Sequence, residues 1–299
     1  MLAWRSVLVA LAALVLVATV LAVRLFFVLV ETHNRRPPPR PTDDASLAVF
    51  LGSGGHTAEM MRLVAHLDWR RFPTRTWIIS SGDTLSERKA LQLERTIASG
   101  QFRILRIPRA RKVHQSYLTS PFTTLYSLAS CVWHITLAPL LLLPTSSTTV
   151  SSPTSSSSSP RERPILGRRR VFADVVLLNG PGSCVPITLA AFLPRLLPLS
   201  SSSSSSAPRL IYLESLARTR RLSLSARLVR PFVDRFFVQW DALRDELVAR
   251  EGRGTGEREG RGEGEGRGGG EGVGGRAESP RGREGWRLTA RVECRGWLV

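Results

Sequence analysis

Residues Val49–Leu63 read VFLGSGGHTAEMMRL. The apolar run Leu47–Leu51 meets Gly52-Ser53-Gly54-Gly55-His56, and a helical pattern follows with Met60, Leu63, Val64 and Leu67 on one face. A buried strand, a glycine turn and a helix form the opening unit of a parallel sheet. The same grammar continues outward. Thr76–Ser80 reads as a second strand, and Ala90, Leu93 and Ile97 mark a helix that Gly100 is placed to stop. Phe102–Ile107 is a third strand. Val175–Leu178 is a fourth, and it runs into Asn179-Gly180-Pro181-Gly182-Ser183 and an apolar helix with Pro186 in its first turn. Leu210–Leu213 and Phe236–Gln239 are two more short apolar strands. Strands alternating with helices predict an α/β fold, a Rossmann-like doubly wound parallel sheet over residues 46–250.

Composition agrees with a folded domain. The chain has 299 residues, of which 42% are hydrophobic, and a formal charge of +18. That apolar content excludes a wholly disordered chain. Three cysteines, Cys131, Cys184 and Cys294, lie far apart. Their spacing fits neither a zinc module nor a disulfide scaffold, and a reducing compartment fits better. Nearly all the basic residues are arginine; lysine occurs only at Lys89 and Lys112. Arginine suits bidentate contact with phosphate or carboxylate. No basic run is interleaved with aromatics, and no finger or zipper pattern is present, so the reading is no nucleic acid. A pyrophosphate ligand, anionic lipid headgroups or plain codon bias explains the charge as well.

The first 30 residues are almost continuously apolar, long enough to cross a ~30 Å hydrocarbon core, with Arg24 placed to snorkel. They read as a transmembrane anchor over 1–30. A cleaved signal peptide is the competing reading, but the run is long for one. Arg35, Arg36 and Arg40 follow, with His33 beside them, which favours a cytosolic location for the bulk of the chain. Residues 31–45 read as a stiff Pro/Arg-rich spacer. Serine-rich stretches at 145–160 and 200–206, and a Gly/Arg/Glu-rich stretch at 251–287, read as flexible insertions. Phe122–Leu143 is long enough to span a bilayer, yet it carries Thr123, Thr124, Ser127, Ser130, His134 and Thr136. A second crossing would split one sheet across a membrane, so a buried or membrane-apposed helix is expected.

The chemistry is expected at the two glycine turns. In open parallel sheets ligands bind beyond the carboxyl ends of the strands, where glycine lets the backbone approach and a helix N-terminus offers free N–H groups. Gly52, Ser53, Gly54 and Gly55 form one candidate diphosphate cradle, and Asn179, Gly180, Gly182 and Ser183 form the other. His56, at a helix start, is a candidate for donation to phosphate or for proton transfer. Glu214 closes the next strand and is a third polar group at that edge, although pairing with Arg218 or Arg220 explains it equally well. Neither turn has the Walker lysine or the full dinucleotide fingerprint, and tight strand–helix turns alone would look similar.

Beyond Val49–Leu63, four stretches are recognisable: SYLTSPFTTLYSL within Gln115–Trp133, DVVLLNGPGSCVP at Asp174–Pro186, IYLESLARTRRLSLS at Ile211–Ser225 and PFVDRFFVQWDAL at Pro231–Leu243. With the anchor, the sequence resembles the family of membrane-anchoring subunits of the UDP-N-acetylglucosamine transferase of asparagine-linked glycosylation. That family is related to the N-terminal half of the bacterial transferase building lipid-linked peptidoglycan precursor. The resemblance implies the N-terminal half of a GT-B glycosyltransferase, with no metal and no cofactor held by this half. It implies a heterodimer with a soluble catalytic subunit that binds UDP-GlcNAc. It also implies a dolichol-linked acceptor, dolichyl-pyrophosphate-GlcNAc, that gains its second GlcNAc by an inverting β1,4 transfer. The expected location is the cytosolic face of the endoplasmic reticulum membrane, extending to the nuclear outer membrane. Glu214 falls at the family's motif carboxylate, with a role near the acceptor hydroxyl. ARVECRGWLV at Ala290–Val299 resembles the partner-docking end, placing a docking segment at 288–299. The insertions depart from the family pattern.

Two alternatives stay open at this point. A self-sufficient transferase would need a second Rossmann unit for its donor, which the residues after Trp240 do not supply. A purely structural tether would leave both turns without a ligand.

Overall fold

The computed structural model describes residues 2–34, 45–111, 115–116, 118–141, 172–196, 207–259 and 292–294. The expected serine-rich insertions, residues 35–44 of the expected spacer and residues 260–287 of the glycine-rich stretch lie outside these. Seven parallel strands among the described residues form one sheet: β1 (Ser46–Leu51), β2 (Thr74–Ser80), β3 (Gln101–Ile107), β4 (Val175–Asn179), β5 (Arg209–Leu213), β6 (Arg235–Val238) and β7 (Val292–Cys294). Their spatial order is β3-β2-β1-β4-β5-β6-β7. The first six follow the Rossmann order, which reverses between β1 and β4. In register, Leu47, Ala48 and Val49 sit beside Val175, Val176 and Leu177.

The strands read as apolar runs because both faces are covered. Alternation divides them. Leu47, Val49, Leu51, Trp77 and Ile79 pack under α2 (Gly55–Ala65) and α3 (Thr84–Ile97), whose Met60, Val64 and Ala90 are buried there. Ala48, Phe50, Ile78, Val176 and Leu178 face the other layer. That layer holds α4 (Ser120–Cys131), α5 (Ala138–Leu141), α6 (Cys184–Leu196), α7 (Leu224–Val229) and α8 (Asp241–Glu259), with a π-helical turn at Val132–Leu137 joining α4 to α5. The α3 helix ends in a left-handed Ala98 at φ 51°, ahead of the expected stop at Gly100. Gly100 has its own constraint: at φ 76° a Cβ there would lie 2.4 Å from the Pro73 carbonyl oxygen.

The N-terminal helix α1 runs from Leu2 to Asn34, and its Trp4–His33 stretch is a candidate membrane span with mean hydropathy 2.9. Its lower third is docked on the domain. Val30 is buried, Leu25, Val28 and Leu29 pack against the α6 layer, and Arg24 Nε donates to the Leu196 carbonyl. Arg195 bridges to Asp234 at 2.6 Å and donates to Thr32 Oγ1 at 3.3 Å. Two features therefore differ from the sequence expectation. Arg24 pairs with a helix C-terminus, where a cation is favoured. Residues 31–34 continue a helix packed on the domain, so they do not act as a stand-off. Roughly 20 residues suffice to span a bilayer, so the apolar stretch ahead of this docked turn is long enough for one span.

At the other end, α8 continues to Glu259, past the expected start of the glycine-rich insertion. Val292–Cys294, within the expected docking segment, is an edge strand beside β6, and Glu293 pairs with Arg235.

Candidate functional site

The reversal of strand order places the β1–α2 and β4–α6 turns side by side at the carboxyl edge of the sheet. Gly52 is the close-approach residue of the first turn: a Cβ there would lie 2.6 Å from Pro181 Cδ and 3.0 Å from His56 Cβ. Gly180 is its counterpart in the second turn. At φ 93° it is left-handed, and a Cβ would lie 2.3 Å from His56 Nδ1 and 2.4 Å from Cγ. These two glycines let the turns interlock around the His56 ring.

Gly54, Gly55 and Gly182 are of another kind. A Cβ at any of them meets nothing within 4 Å. With Ser53 they are exposed along the same edge. Gly54 caps α2 at φ 66° without a side-chain hydrogen bond, so the first N–H groups of the helix have no intrahelical partner. Thr57 braces the turn from beneath; its Oγ1 donates to the Gly52 carbonyl and lies 2.6 Å from Ser86 Oγ on α3. Open backbone donors at a helix start, with space above them, suit an anion.

The polar members of the second turn are engaged with the protein. Asn179 is buried; its Nδ2 donates to Glu59 Oε2 at 3.1 Å and its Oδ1 lies 3.2 Å from His56 Nδ1. Ser183 Oγ accepts from Ala110 N at 3.3 Å, which ties the β3–α4 loop to this edge. Glu214 is 1% exposed. Its Oε1 accepts from Ser215 N, and its Oε2 from Ser223 N and Oγ, each at 3.1 Å. Ser223 caps α7 through Ala226 N. Burial raises the Glu214 carboxyl above its usual range, opposed by those hydrogen bonds and by Arg218. Burial also raises the neighbouring Cys184 thiol and Tyr212 phenol, each with a further push from Glu214.

The carboxylate facing His56 is Glu59, which the sequence reading passed over. It lies three residues along α2 from His56, with Oε2 3.9 Å from His56 Nδ1, and its Oε1 accepts from Ser215 Oγ at 2.9 Å. The i, i+3 spacing was the available signal. Among the described residues no cluster of His, Cys, Asp or Glu could hold a metal ion.

The fold and this edge define a class: a Rossmann-type domain carried on an apolar helix, with two interlocked glycine turns at its topological switch point. Comparison with known proteins makes the assignment specific. Residues 47–255 match the family described as "Oligosaccharide biosynthesis protein Alg14 like". The chain is 38% identical over 240 residues to the UDP-N-acetylglucosamine transferase subunit ALG14 of Cryptococcus neoformans, covering 78% of this chain and 91% of that one. To the subunit of the same name from Schizosaccharomyces pombe it is 34% identical over 77% of this chain and 91% of the other. To that of Rattus norvegicus it is 34% identical over 77% and 88%. The chain belongs to the Alg14 family.

Proposed function

We propose that this chain is the membrane-anchoring, acceptor-binding subunit of a UDP-GlcNAc transferase that adds the second GlcNAc to dolichyl-diphosphate-GlcNAc. It works at the cytosolic face of the endoplasmic reticulum and is inactive alone. A soluble subunit supplies the UDP-GlcNAc pocket, and the stretch around Val292–Cys294 at the sheet edge contributes to docking it. The relatives' shared name, a transferase subunit, supports the division of labour. The observation that carries the reading is the open row at Ser53, Gly54, Gly55 and Gly182 beside a helix start.

In this reading the acceptor diphosphate lies over that row, held by the N–H groups of Gly54, Gly55 and Gly182 and by the Ser53 hydroxyl. Gly52, Gly180, Asn179 and Ser183 act one layer beneath, holding the turns and His56 in place. His56 takes the proton from the acceptor sugar hydroxyl as that oxygen attacks the anomeric carbon of the donor, and UDP leaves from the opposite face with inversion. Glu214 shapes the β5–α7 loop from within.

The lipid has its own surface. The inward side of α4 and the following turn puts Cys131 and Ile135 in the core, and backbone carbonyls satisfy its hydroxyls. Ser127 Oγ donates to the Pro108 carbonyl, Thr124 Oγ1 to that of Ala110 and Thr136 Oγ1 to that of Ala190. The outward side carries Phe122, Leu125, Tyr126 and Trp133, exposed by 76%, 64%, 68% and 53%. A large exposed apolar stripe of this kind fits an apolar medium outside. Both α1 and α4 pack on α6, so the stripe continues the membrane-facing side of the molecule. The stripe therefore beds in the leaflet from which the acceptor arrives.

Reconstitution tests the reading. The purified chain alone should transfer no GlcNAc, and transfer should appear when the soluble subunit is added. The double variant Phe122→Asp/Trp133→Asp should lose about tenfold or more in transfer to long-chain acceptor in vesicles, while transfer to a short-chain, detergent-soluble acceptor stays within about twofold. Robust transfer by the chain alone, or equal loss on both acceptors, would contradict the reading.

A further inference from the structure

We infer that Glu59 is a positioning residue that, through Asn179, fixes which nitrogen of His56 carries the proton. The inference rests on the proposed role of His56 and deepens it. A carboxylate only accepts hydrogen bonds. Glu59 Oε2 therefore takes the amide side of Asn179, Nδ2, at 3.1 Å. Turning the amide over would set its oxygen against a carboxylate oxygen at that distance. With Nδ2 committed, Asn179 Oδ1 must face His56 Nδ1, 3.2 Å away. A second acceptor, Glu59 Oε2, stands 3.9 Å from the same nitrogen. Two acceptors around Nδ1 require that Nδ1 bear the hydrogen. In the neutral ring Nε2 then keeps the lone pair, and a general base needs that lone pair.

The ring has little freedom to choose otherwise. Gly180 presents bare backbone to it, and the nearest ring atoms to the missing Cβ are Nδ1, Cγ and Cε1. Asn179 is buried, so water does not compete for its amide. Ser215 Oγ, donating to Glu59 Oε1 at 2.9 Å, holds the carboxylate from the β5–α7 loop. One side chain thereby joins three loops of the carboxyl edge. A loop staple alone would need the same contacts but would not care which ring nitrogen is protonated, and that difference can be measured.

The test uses the full chain with its soluble partner in bilayer nanodiscs, labelled with ring-15N histidine. His56→Asn identifies the His56 signals. Wild type should show a protonated Nδ1 and an unprotonated Nε2. Glu59→Gln keeps an acceptor oxygen for Asn179, and it should preserve that pattern with kcat within about threefold. Glu59→Leu removes the carboxylate beside Nδ1 and releases the Asn179 amide, which is then free to turn its Nδ2 toward the ring. It should shift the ring toward the Nε2-protonated form and lower kcat by about a hundredfold, the size of a general-base contribution, with acceptor KM within about twofold. A protonated Nε2 in wild type, or an unchanged ring in Glu59→Leu, overturns the inference. If His56→Asn transfers at the wild-type rate, the base role of His56 fails on its own, and the ring signals still decide the positioning claim.

Discussion

Gly180→Ala is expected to remove most transfer activity from the assembled enzyme, by about a hundredfold or more, and to cost the fold about 1–3 kcal/mol. Two effects act together. Alanine is strained at the φ of 93° that this turn requires, and its methyl would sit 2.3 Å from His56 Nδ1 and 2.4 Å from Cγ. Either the ring leaves or the backbone does. If the ring leaves, the contact from Nδ1 to Asn179 Oδ1 is lost, and with it the alignment of His56 over the open row. Misplacement of a reacting group by about 1 Å is enough for losses of this order. Transfer assays on the complex, with thermal unfolding of the same preparation, measure both parts. Activity near wild type would mean that the ring position is irrelevant to the reaction.

The second large effect concerns the fold. Glu94→Ala is expected to destabilise the domain by about 3–5 kcal/mol, a large share of the 5–15 kcal/mol typical of a domain. Arg75 lies on β2 and Glu94 on α3, and both side chains are 2% exposed. Arg75 Nε donates to Oε1 at 2.8 Å and Nη2 to Oε2 at 2.6 Å, and Trp77 Nε1 also donates to Oε1 at 2.6 Å. Truncating Glu94 leaves a buried cation and a buried indole N–H facing a cavity. The remaining bonds of Arg75, to the Phe72 and Ser99 carbonyls, do not balance its charge. Replacing the pair together, Arg75→Met with Glu94→Leu, should recover most of the loss, because no charge is stranded. Thermal unfolding of the three proteins checks the claim, and a single variant within about 1 kcal/mol of wild type would refute it.

Much of the fold was legible because central parallel strands are covered on both faces and so appear as bare apolar runs. Six strands could be read this way to within about two residues at each end. Val292–Cys294 could not. It is three residues long, sits at an edge and carries Glu293, so neither length nor alternation marks it. Both glycine turns were legible as turns, since strand–glycine–helix is a local signal. Their division of labour was not. Gly52 and Gly180 differ from Gly54, Gly55 and Gly182 only through what packs above them, and those contacts join turns more than a hundred residues apart. For the same reason Glu214 stood out in the sequence as the carboxylate at a strand end, while its oxygens turn inward to Ser215 and Ser223. Nothing local in the sequence beyond its spacing from His56 marks Glu59, because its partners Asn179 and Ser215 come from distant loops. The docking of α1 was hidden too, because Arg24 after an apolar run reads as a snorkelling charge whether or not a helix end awaits it.

The central claim is that backbone N–H groups at the open turns hold the lipid's diphosphate. Gly55→Asp tests it directly. Gly55 has no left-handed φ and open space around its Cβ position, so aspartate fits there. A carboxylate at a helix start also favours the helix, so the thermal midpoint should hold or rise. Against a bound diphosphate the same charge is repulsive. Equilibrium binding of a short-chain dolichyl-diphosphate-GlcNAc analogue to the assembled complex should weaken at least tenfold, or about 1.4 kcal/mol. Unchanged affinity in a correctly folded Gly55→Asp complex would contradict the claim.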